Sequence, residues 1–343
     1  MSKHRENDRL CRIVESFPKV TITVVGDLVA DEFVFGEISR VSREAPVLIL
    51  KHREQAILPG GGANAVYNLA DLGVNVLPVG MVGDDEAGKR LIRSFRHKHI
   101  PVSGILRDRS YRTVTKTRIL AGTAHSPRQQ VVRLDREPTQ PPSPHLHREL
   151  ILAARKYVRV SDALLLSDYG YGAASPSILN AIRARGITAT IPITLDSRYR
   201  MLEYTGVSAA TPNEPEIEEA LRIKIGHDWG KLVTAAHEIM DRMKLRSLVI
   251  TRGRDGMVAF HGRHRPVDIP IYGSDEVADV TGAGDTVIAT YTAALAAGAT
   301  AEEAAHLANY AGGIVVMKRG TATVTQEELS RALESGPPKI RPH

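Results

Sequence analysis

Val20-Thr21-Ile22-Thr23-Val24-Val25, running into Gly26-Asp27, decides the fold. An unbroken β-branched run of this length suits a strand buried on both faces, as in a parallel sheet, and Gly-Asp ends it in a ligand-facing turn. Working outward, residues 76–82, 163–166, 189–193 and 247–251 have the same strand character, and each has a helical pattern on one or both sides. Such alternation predicts an α/β protein, a Rossmann-like αβα sandwich around a largely parallel sheet. Residues 33–38, 47–51, 113–120 and 130–134 read as strands without intervening helices, so they predict a small separate β-sheet, a lid. The expected division is a body of residues 1–32, 59–110 and 136–330, a lid of residues 33–58 and 111–135, and a mobile tail from 331 to 343. Pro138-Thr139-Gln140-Pro141-Pro142-Ser143-Pro144 joins the lid to a helix over 146–158.

Composition narrows the function. The 343 residues are 43% hydrophobic and 24% charged, which suits a globular chain with a large core. No apolar run reaches the roughly 20 residues of a membrane helix, and the N-terminus has no signal-peptide core, so a cytoplasmic protein is expected. The single cysteine, Cys11, has no partner for a disulfide and is read as incidental. The net charge of +6 comes from scattered basic residues, and aromatics are only 5%, so no nucleic-acid partner is expected. His97/His99, His145/His147 and His261/His264 stand in polar segments without a ligand motif and read as surface residues.

Ligands of open α/β sheets collect beyond the carboxyl ends of the strands. The residues there are polar and acidic: Asp27 and Asp31, Ser167-Asp168-Tyr169-Gly170, Asp196-Ser197-Arg198, Thr211 to Glu216, Thr251-Arg252-Gly253, and Asp279 to Asp285. Asp279-Val280-Thr281-Gly282-Ala283-Gly284-Asp285 runs directly into an apolar helical stretch. It can be an anion site at a helix start, with Asp285 beside a bound phosphate, or a Gly-rich cap with Asp285 serving the helix dipole. Asn213 and Glu216 have the spacing of a helix N-cap and its answering carboxylate three residues on.

Together these motifs resemble the ribokinase (PfkB) family of carbohydrate kinases, from the first strand to about Thr325. Pro59-Gly60-Gly61-Gly62-Ala63-Asn64 resembles its N-terminal signature, Asn213 to Glu216 its Asn-x-x-Glu motif, and Asp279 to Asp285 its C-terminal signature. A more specific likeness is to the kinases of D-glycero-D-manno-heptose 7-phosphate, free-standing or as the N-terminal half of a bifunctional enzyme. It rests on Val25 to Leu28, Ser39-Arg40-Val41-Ser42-Arg43-Glu44-Ala45-Pro46-Val47, Thr115 to Arg118, Gln130 to Asp135, Ser167 to Gly170 and Lys318 to Val324. The nucleotidyltransferase half of the bifunctional enzymes is expected to be absent.

The resemblance implies a ribokinase-like fold and transfer of the ATP γ-phosphate to a sugar hydroxyl, here O1 of the heptose phosphate. It implies Asp285 as general base, with the Gly282, Ala283 and Gly284 amides stabilising charge on the γ-phosphate. Asn213 and Glu216 would organise Mg²⁺ through its waters, Thr251 and Gly253 the nucleotide phosphates, and Asn309 the adenine and ribose. Asp279, with the Thr281, Val315, Lys318 and Gly320 carbonyls, matches a monovalent-cation site, possible for K⁺. Asp31 and Asn64 correspond to sugar-hydroxyl ligands, with Gly60 and Gly61 allowing close approach and Asp27 and Asp168 adding acceptors. Lys116, Arg118, Arg133 and Arg198 are the candidate cations for the substrate phosphate. A homodimer through the lid is also implied.

Three departures fall near the substrate. Tyr171 stands where the heptose kinases have lysine, Ser197 and Arg198 replace their Pro and Lys, and the segment 121–129 differs from a shorter polar stretch. Another sugar, sugar phosphate or nucleoside is the alternative substrate. A catalytically inactive nucleotide- or sugar-binding regulator is the alternative from outside the enzymes. A dehydrogenase fits less well, since no Gly-x-Gly-x-x-Gly follows the first strand.

Overall fold

The computed structural model describes residues 3–122, 128–184, 186, 190–273, 279–318 and 320–335. Most of the atypical 121–129 segment and most of the expected tail lie outside these residues.

In chain order, α1 (Lys3–Glu15) precedes β1 (Thr21–Gly26), and two long strands, β2 (Leu28–Val41) and β3 (Leu48–Gly61), lead into α2 (Gly62–Asp71). Next come β4 (Asn75–Gly83), α3 (Glu86–His97) and β5 (Ile105–Asp108), then the pair β6 (Val114–Gly122) and β7 (Gln129–Arg136). Strand and helix alternate through α4 (Pro144–Val158), β8 (Ala163–Asp168), α5 (Pro176–Arg183), β9 (Ile193–Ser197), β10 (Ala209–Ala210), α6 (Glu214–Leu221), α7 (Trp229–Met243) and β11 (Ser247–Thr251). The hairpin of β12 (Met257–His261) and β13 (Val267–Ile269) follows, and then α8 (Ala283–Ala296), α9 (Ala301–Val316) and α10 (Gln326–Ser335).

The main sheet has the order β13-β12-β11-β10-β9-β8-β1-β4-β5 and is parallel except at β12 and β13. β1 is central, with Val24 in register with both Leu165 of β8 and Pro78 of β4. Successive side chains of a strand point to opposite faces, so a strand buried on both faces must be covered twice. Ile22, Val24 and Leu165 accordingly join one core with residues of α1, α2, α8 and α9. Val25, Leu164, Leu166 and Leu195 join a second core with α4, α5 and α7. The sandwich predicted from the alternation is the architecture observed. Local chemistry sets the helix starts: Ser143 and Ser175 each accept a bond from the amide three residues on, with proline at the next position.

The second sheet has the order β3-β2-β6-β7. β2 and β3 run further than their apolar residues suggest, because Asp31, Glu32 and the Pro59-Gly60-Gly61 end conceal the strand pattern. Their pairing continues to Leu28 opposite Gly61. The residue between β1 and β2, Asp27, is therefore the turning point from one sheet to the other. Its amide donates to Ser167 O at 3.0 Å and its carbonyl accepts from the Gly62 amide at 3.0 Å. Among the described residues, no helix is long and apolar enough to cross a membrane.

Leu165 is fully buried in β8, whereas Leu152 on α4 is 56% exposed. Leu165→Ala is expected to cost about 2–5 kcal/mol in urea unfolding and Leu152→Ala less than about 0.5 kcal/mol. Equal losses would contradict the assignment of the core.

Candidate active site

Asp285 occupies the first turn of α8 and is 4% exposed. Its Oδ2 accepts from Asn64 Nδ2 at 3.0 Å and its Oδ1 from the Tyr169 hydroxyl at 2.8 Å. Burial pushes this carboxyl up to about 7, the two donors pull it down, and the charge of Asp31 adds to the rise. The Asn64 amide is oriented in turn, because its Oδ1 accepts from Asn68 Nδ2 at 3.2 Å while Asn68 Oδ1 accepts from Thr286 Oγ1 at 3.0 Å.

The helix start requires glycine. Gly282 has φ 81°, and a Cβ there would lie 2.5 Å from Asn64 Nδ2. At Gly284 a Cβ would meet nothing within 4 Å, so this face of the loop is open. First-turn amides have no acceptor within their own helix. The Ala283 amide nonetheless donates to Val280 O at 3.2 Å, so of the expected anion-binding trio it already has a partner.

Tyr169 reaches Asp285 because the loop after β8 is pinned from two sides. Asp27 Oδ2 accepts from the Tyr169 and Tyr171 amides, both at 2.9 Å, and Oδ1 from the Ala173 amide at 2.8 Å. Burial raises the Asp27 carboxyl to about 6 although these amides pull it down. Asp168 accepts from the Gly170 amide, Ser197 Oγ, Arg200 Nη2 and the Tyr204 hydroxyl. Both carboxylates, expected from the sequence to face substrate, are engaged by protein groups in this structure.

Beside Asp285 lies a polar cavity of about 230 Å³, lined by Tyr169, Asp196, Arg198, Thr211, Asn213, Glu216 and Gly284. Asn213 and Glu216 form a reciprocal capping box: Asn213 Oδ1 accepts from the Glu216 amide at 2.8 Å and Glu216 Oε2 from the Asn213 amide at 2.9 Å. Burial raises the Glu216 carboxyl. Asp196 is held well above the ordinary carboxylate range by burial and by the charges of Glu216, Asp285 and Asp168. Among the described residues, the buried Thr211 Oγ1 has no hydrogen-bond partner.

A second cavity, of about 180 Å³, shares Thr251, Val280 and Gly284 with the first, so the two adjoin. Gly253, Asn309, Ala283, Val287 and Val316 line it. Asn309 Nδ2 donates to Pro270 O at 2.8 Å. A roomier cavity of about 700 Å³ opens at the other end of the strands, against Pro192, Ser247 and Thr300, and contains none of these site residues.

Toward the second sheet, Asp31 is ion-paired with Arg118, whose guanidinium lies 5.4 Å from the Phe33 ring centroid. A Cβ on Gly60 would sit 2.3 Å from Asp31 Oδ2, so glycine there makes room for the carboxylate. Gly61 lies opposite Leu28 at the end of the same pairing. Lys116 lies 3.8 Å from Asp135, which also takes two bonds from Arg133, at 2.8 and 2.7 Å. Burial lowers the Lys116 ammonium, Asp135 opposes that, and Arg133 and Arg198 add to the lowering. Arg198 is exposed, its guanidinium 5.8 Å from the Tyr199 ring centroid. Asp279 is occupied by the Thr281 amide at 2.9 Å and the Gly320 amide at 3.2 Å, and Val315 O accepts from the Lys318 amide.

The structure thus gathers Asp285, Asn64, Asn213, Glu216, Thr251, Gly253 and Asn309 at one sheet end. Tyr169, Asp196 and Thr211 join them without having been singled out as site residues from sequence. Each stands in a stretch that follows a strand, which was the available signal; only the folded loops show that the three line one cavity.

A buried carboxylate at a helix start, beside adjoining polar and largely apolar cavities, has the layout of a phosphotransferase site. Residues 22–328 match the family described as pfkB family carbohydrate kinase, and the chain belongs to that family. The bifunctional protein HldE of Gluconobacter oxydans is 38% identical over 323 residues, covering 94% of this chain and 66% of that protein. The bifunctional protein HldE of Pelobacter propionicus is 40% identical over 311 residues, 90% of this chain and 62% of that protein. The chain therefore spans slightly under two thirds of the length of these relatives. Among solved structures, Arabidopsis thaliana ribokinase complexed with ribose and ATP superposes with a TM-score of 0.71 at 18% identity, covering 92% of this chain and 99% of that one. Escherichia coli phosphofructokinase-2 with fructose-6-phosphate gives 0.74 at 16% identity, covering 92% and 98%. These two share the fold.

Gly282→Ala should force the left-handed cap and push Asn64 from Asp285. The expected loss of stability is about 1–3 kcal/mol by urea unfolding; an unchanged transition midpoint would show that the cap tolerates a side chain.

Proposed function

We propose that this protein is an ATP-dependent kinase that phosphorylates D-glycero-D-manno-heptose 7-phosphate at O1, giving the 1,7-bisphosphate. The observation that carries the reading is Asp285, a buried carboxylate near neutral basicity, fixed by Asn64 and Tyr169 where two cavities meet. Family membership supports sugar phosphorylation. The HldE relatives and the motif likeness to the bifunctional heptose kinases support the particular acceptor.

In this account Asp285 takes the proton of the attacking hydroxyl, and the Gly282 and Gly284 amides stabilise charge on the transferred phosphoryl group. The Ala283 amide contributes after giving up its bond to Val280 O. The adenosine lies along the cavity of Thr251, Gly253 and Asn309. Two half-buried carboxyls with raised values, Asp196 and Glu216, suit a divalent cation. Mg²⁺ would neutralise the ATP phosphates there, held by Glu216 through water with Asp196 beside it. The Thr281, Val315, Lys318 and Gly320 carbonyls would hold K⁺, with Asp279 shaping their loop.

On the acceptor side, Asp31 and Asn64 take sugar hydroxyls, and Lys116, Arg118, Arg133 and Arg198 neutralise the substrate phosphate. Arg198 replaces the missing lysines with a planar donor able to bind phosphate in two places. Asp27 and Asp168 act on the loop after β8 rather than on the sugar. ATP as donor favours a cytoplasmic setting.

The test is ADP release with Mg²⁺-ATP over a panel of heptose 7-phosphate, unphosphorylated heptose, ribose, fructose 6-phosphate and nucleosides. The phosphorylated heptose should give the highest kcat/KM; a preference for an unphosphorylated acceptor would move the assignment to another pfkB substrate. Nucleotide binding without turnover on any acceptor would favour the regulatory alternative. Asp285→Asn should lower kcat by roughly 10²–10⁴-fold, and an unchanged rate would remove Asp285 as the base.

Ionisation has a definite sign at this residue. The charged form is the base, so kcat/KM should rise with pH and level off above about 7. The folded-state value also lies above the unfolded one, so ionisation opposes folding, increasingly from acid pH up to about 7. Asp285→Asn should therefore melt higher than the wild type at pH 8, with the gain shrinking at pH 5. A constant difference would contradict the raised carboxyl.

The second sheet supports a homodimer. β7 is exposed along its length, with Val131, Val132 and Leu134 each 45–50% exposed. Pairing two copies would cover this edge. Val132→Glu/Leu134→Glu should halve the mass in sedimentation equilibrium; a wild-type monomer would refute the pairing.

A further inference from the structure

We infer that Tyr169 is a positioning residue of the reaction: its hydroxyl holds the Asp285 carboxylate in place and favours the charged form, and Asp27 anchors the loop that delivers it. The inference rests on the kinase reading above. Its geometry is independent of any bound ligand.

Asp285 faces several acidic groups. Asp31 approaches from β2, Asp196 from β9 and Glu216 from α6, with the exposed Arg198 as the cation at the same cavity. The charge of Asp31 and removal from water disfavour ionisation of Asp285. Two neutral donors oppose them, Asn64 on Oδ2 and Tyr169 on Oδ1. Hydrogen bonds to the charged form of an acid favour that form. Removal from water, together with the neighbouring Asp285 and Asp196, keeps the phenol well above its ordinary value, so it remains a donor at the pH of catalysis.

The loop is built around this contact. Gly170 and Gly172 have φ of 86° and 98°, conformations that glycine adopts without strain, and their lack of a Cβ leaves many paths open to the loop. One path is enforced by Asp27, which accepts three amides, including that of Tyr169 itself. Asp168 adds a second clamp through Ser197, Arg200 and Tyr204. Two buried carboxylates are thus used to fix a loop whose one hydroxyl reaches the base.

The experiment compares wild type, Tyr169→Phe, Asp285→Asn and the double variant in kcat/KM for the acceptor from pH 5 to 9.5. Tyr169→Phe keeps the ring and loses the donor, so the rising limb should move to higher pH by about one unit, with part of the lost rate recovered at pH 9. The double variant should be no slower than Asp285→Asn alone, since a group acting through another has nothing left to act on. A lowered rate with an unmoved midpoint, or losses that multiply in the double variant, would overturn the inference. Full activity of Asp285→Asn would instead overturn the reading on which it rests. Should Tyr169→Phe fail to fold, 3-fluorotyrosine at 169 retains the size and strengthens the donor. It should move the limb to lower pH, and no movement would also count against the role.

Discussion

Everything at this site depends on holding one carboxylate out of water without losing its charge. Burial alone would make Asp285 a neutral acid; full hydration would make it an ordinary carboxylate. The structure sets it between these limits with one amide and one phenol, from residues 221 and 116 positions away in the chain. Neither contact is local, so this setting of Asp285 exists only when α2, α8 and the loop after β8 are all in place. Gly282 is the point where α2 and α8 meet, since any side chain there would displace Asn64.

Asp27 links that geometry to the fold. It is the single residue between β1 of the main sheet and β2 of the second sheet, and its backbone joins both Ser167 and Gly62. Its carboxylate then collects three amides of the Tyr169 loop. The turn between the sheets, the loop after β8 and Asp285 are therefore joined by one chain of hydrogen bonds. That connection also explains why the sheet end is so acidic: Asp27 and Asp168 serve shape, while Asp285, Asp196 and Glu216 face the cavity.

Much of the architecture was legible in sequence because it is driven by patterning. The apolar runs of β1, β8 and β11 and the helical periods between them leave little choice but a covered parallel sheet. The ends of β2 and β3 were hidden, since Asp31, Glu32 and three consecutive residues of Pro and Gly break the strand pattern where the sheet meets the site. Asp285, Asn64, Asn213 and Glu216 stood out through short motifs. Tyr169 did not, because a tyrosine's hydroxyl has no spacing signature and its direction depends on the Asp27 clamp. The capping box at Asn213 and Glu216 shows how one pair can answer to two demands: it starts α6 and leaves the glutamate at the cavity wall.

The proposed reaction transfers a phosphoryl group to the anomeric oxygen of an already phosphorylated heptose. ³¹P NMR of the protein with Mg²⁺-ATP and heptose 7-phosphate tests it most directly. An anomeric phosphate resonance, split by the H1 proton, should grow as the ATP γ-phosphate signal falls, with the 7-phosphate signal retained. ATP loss that yields only inorganic phosphate, or a new ester at any position other than O1, would contradict it.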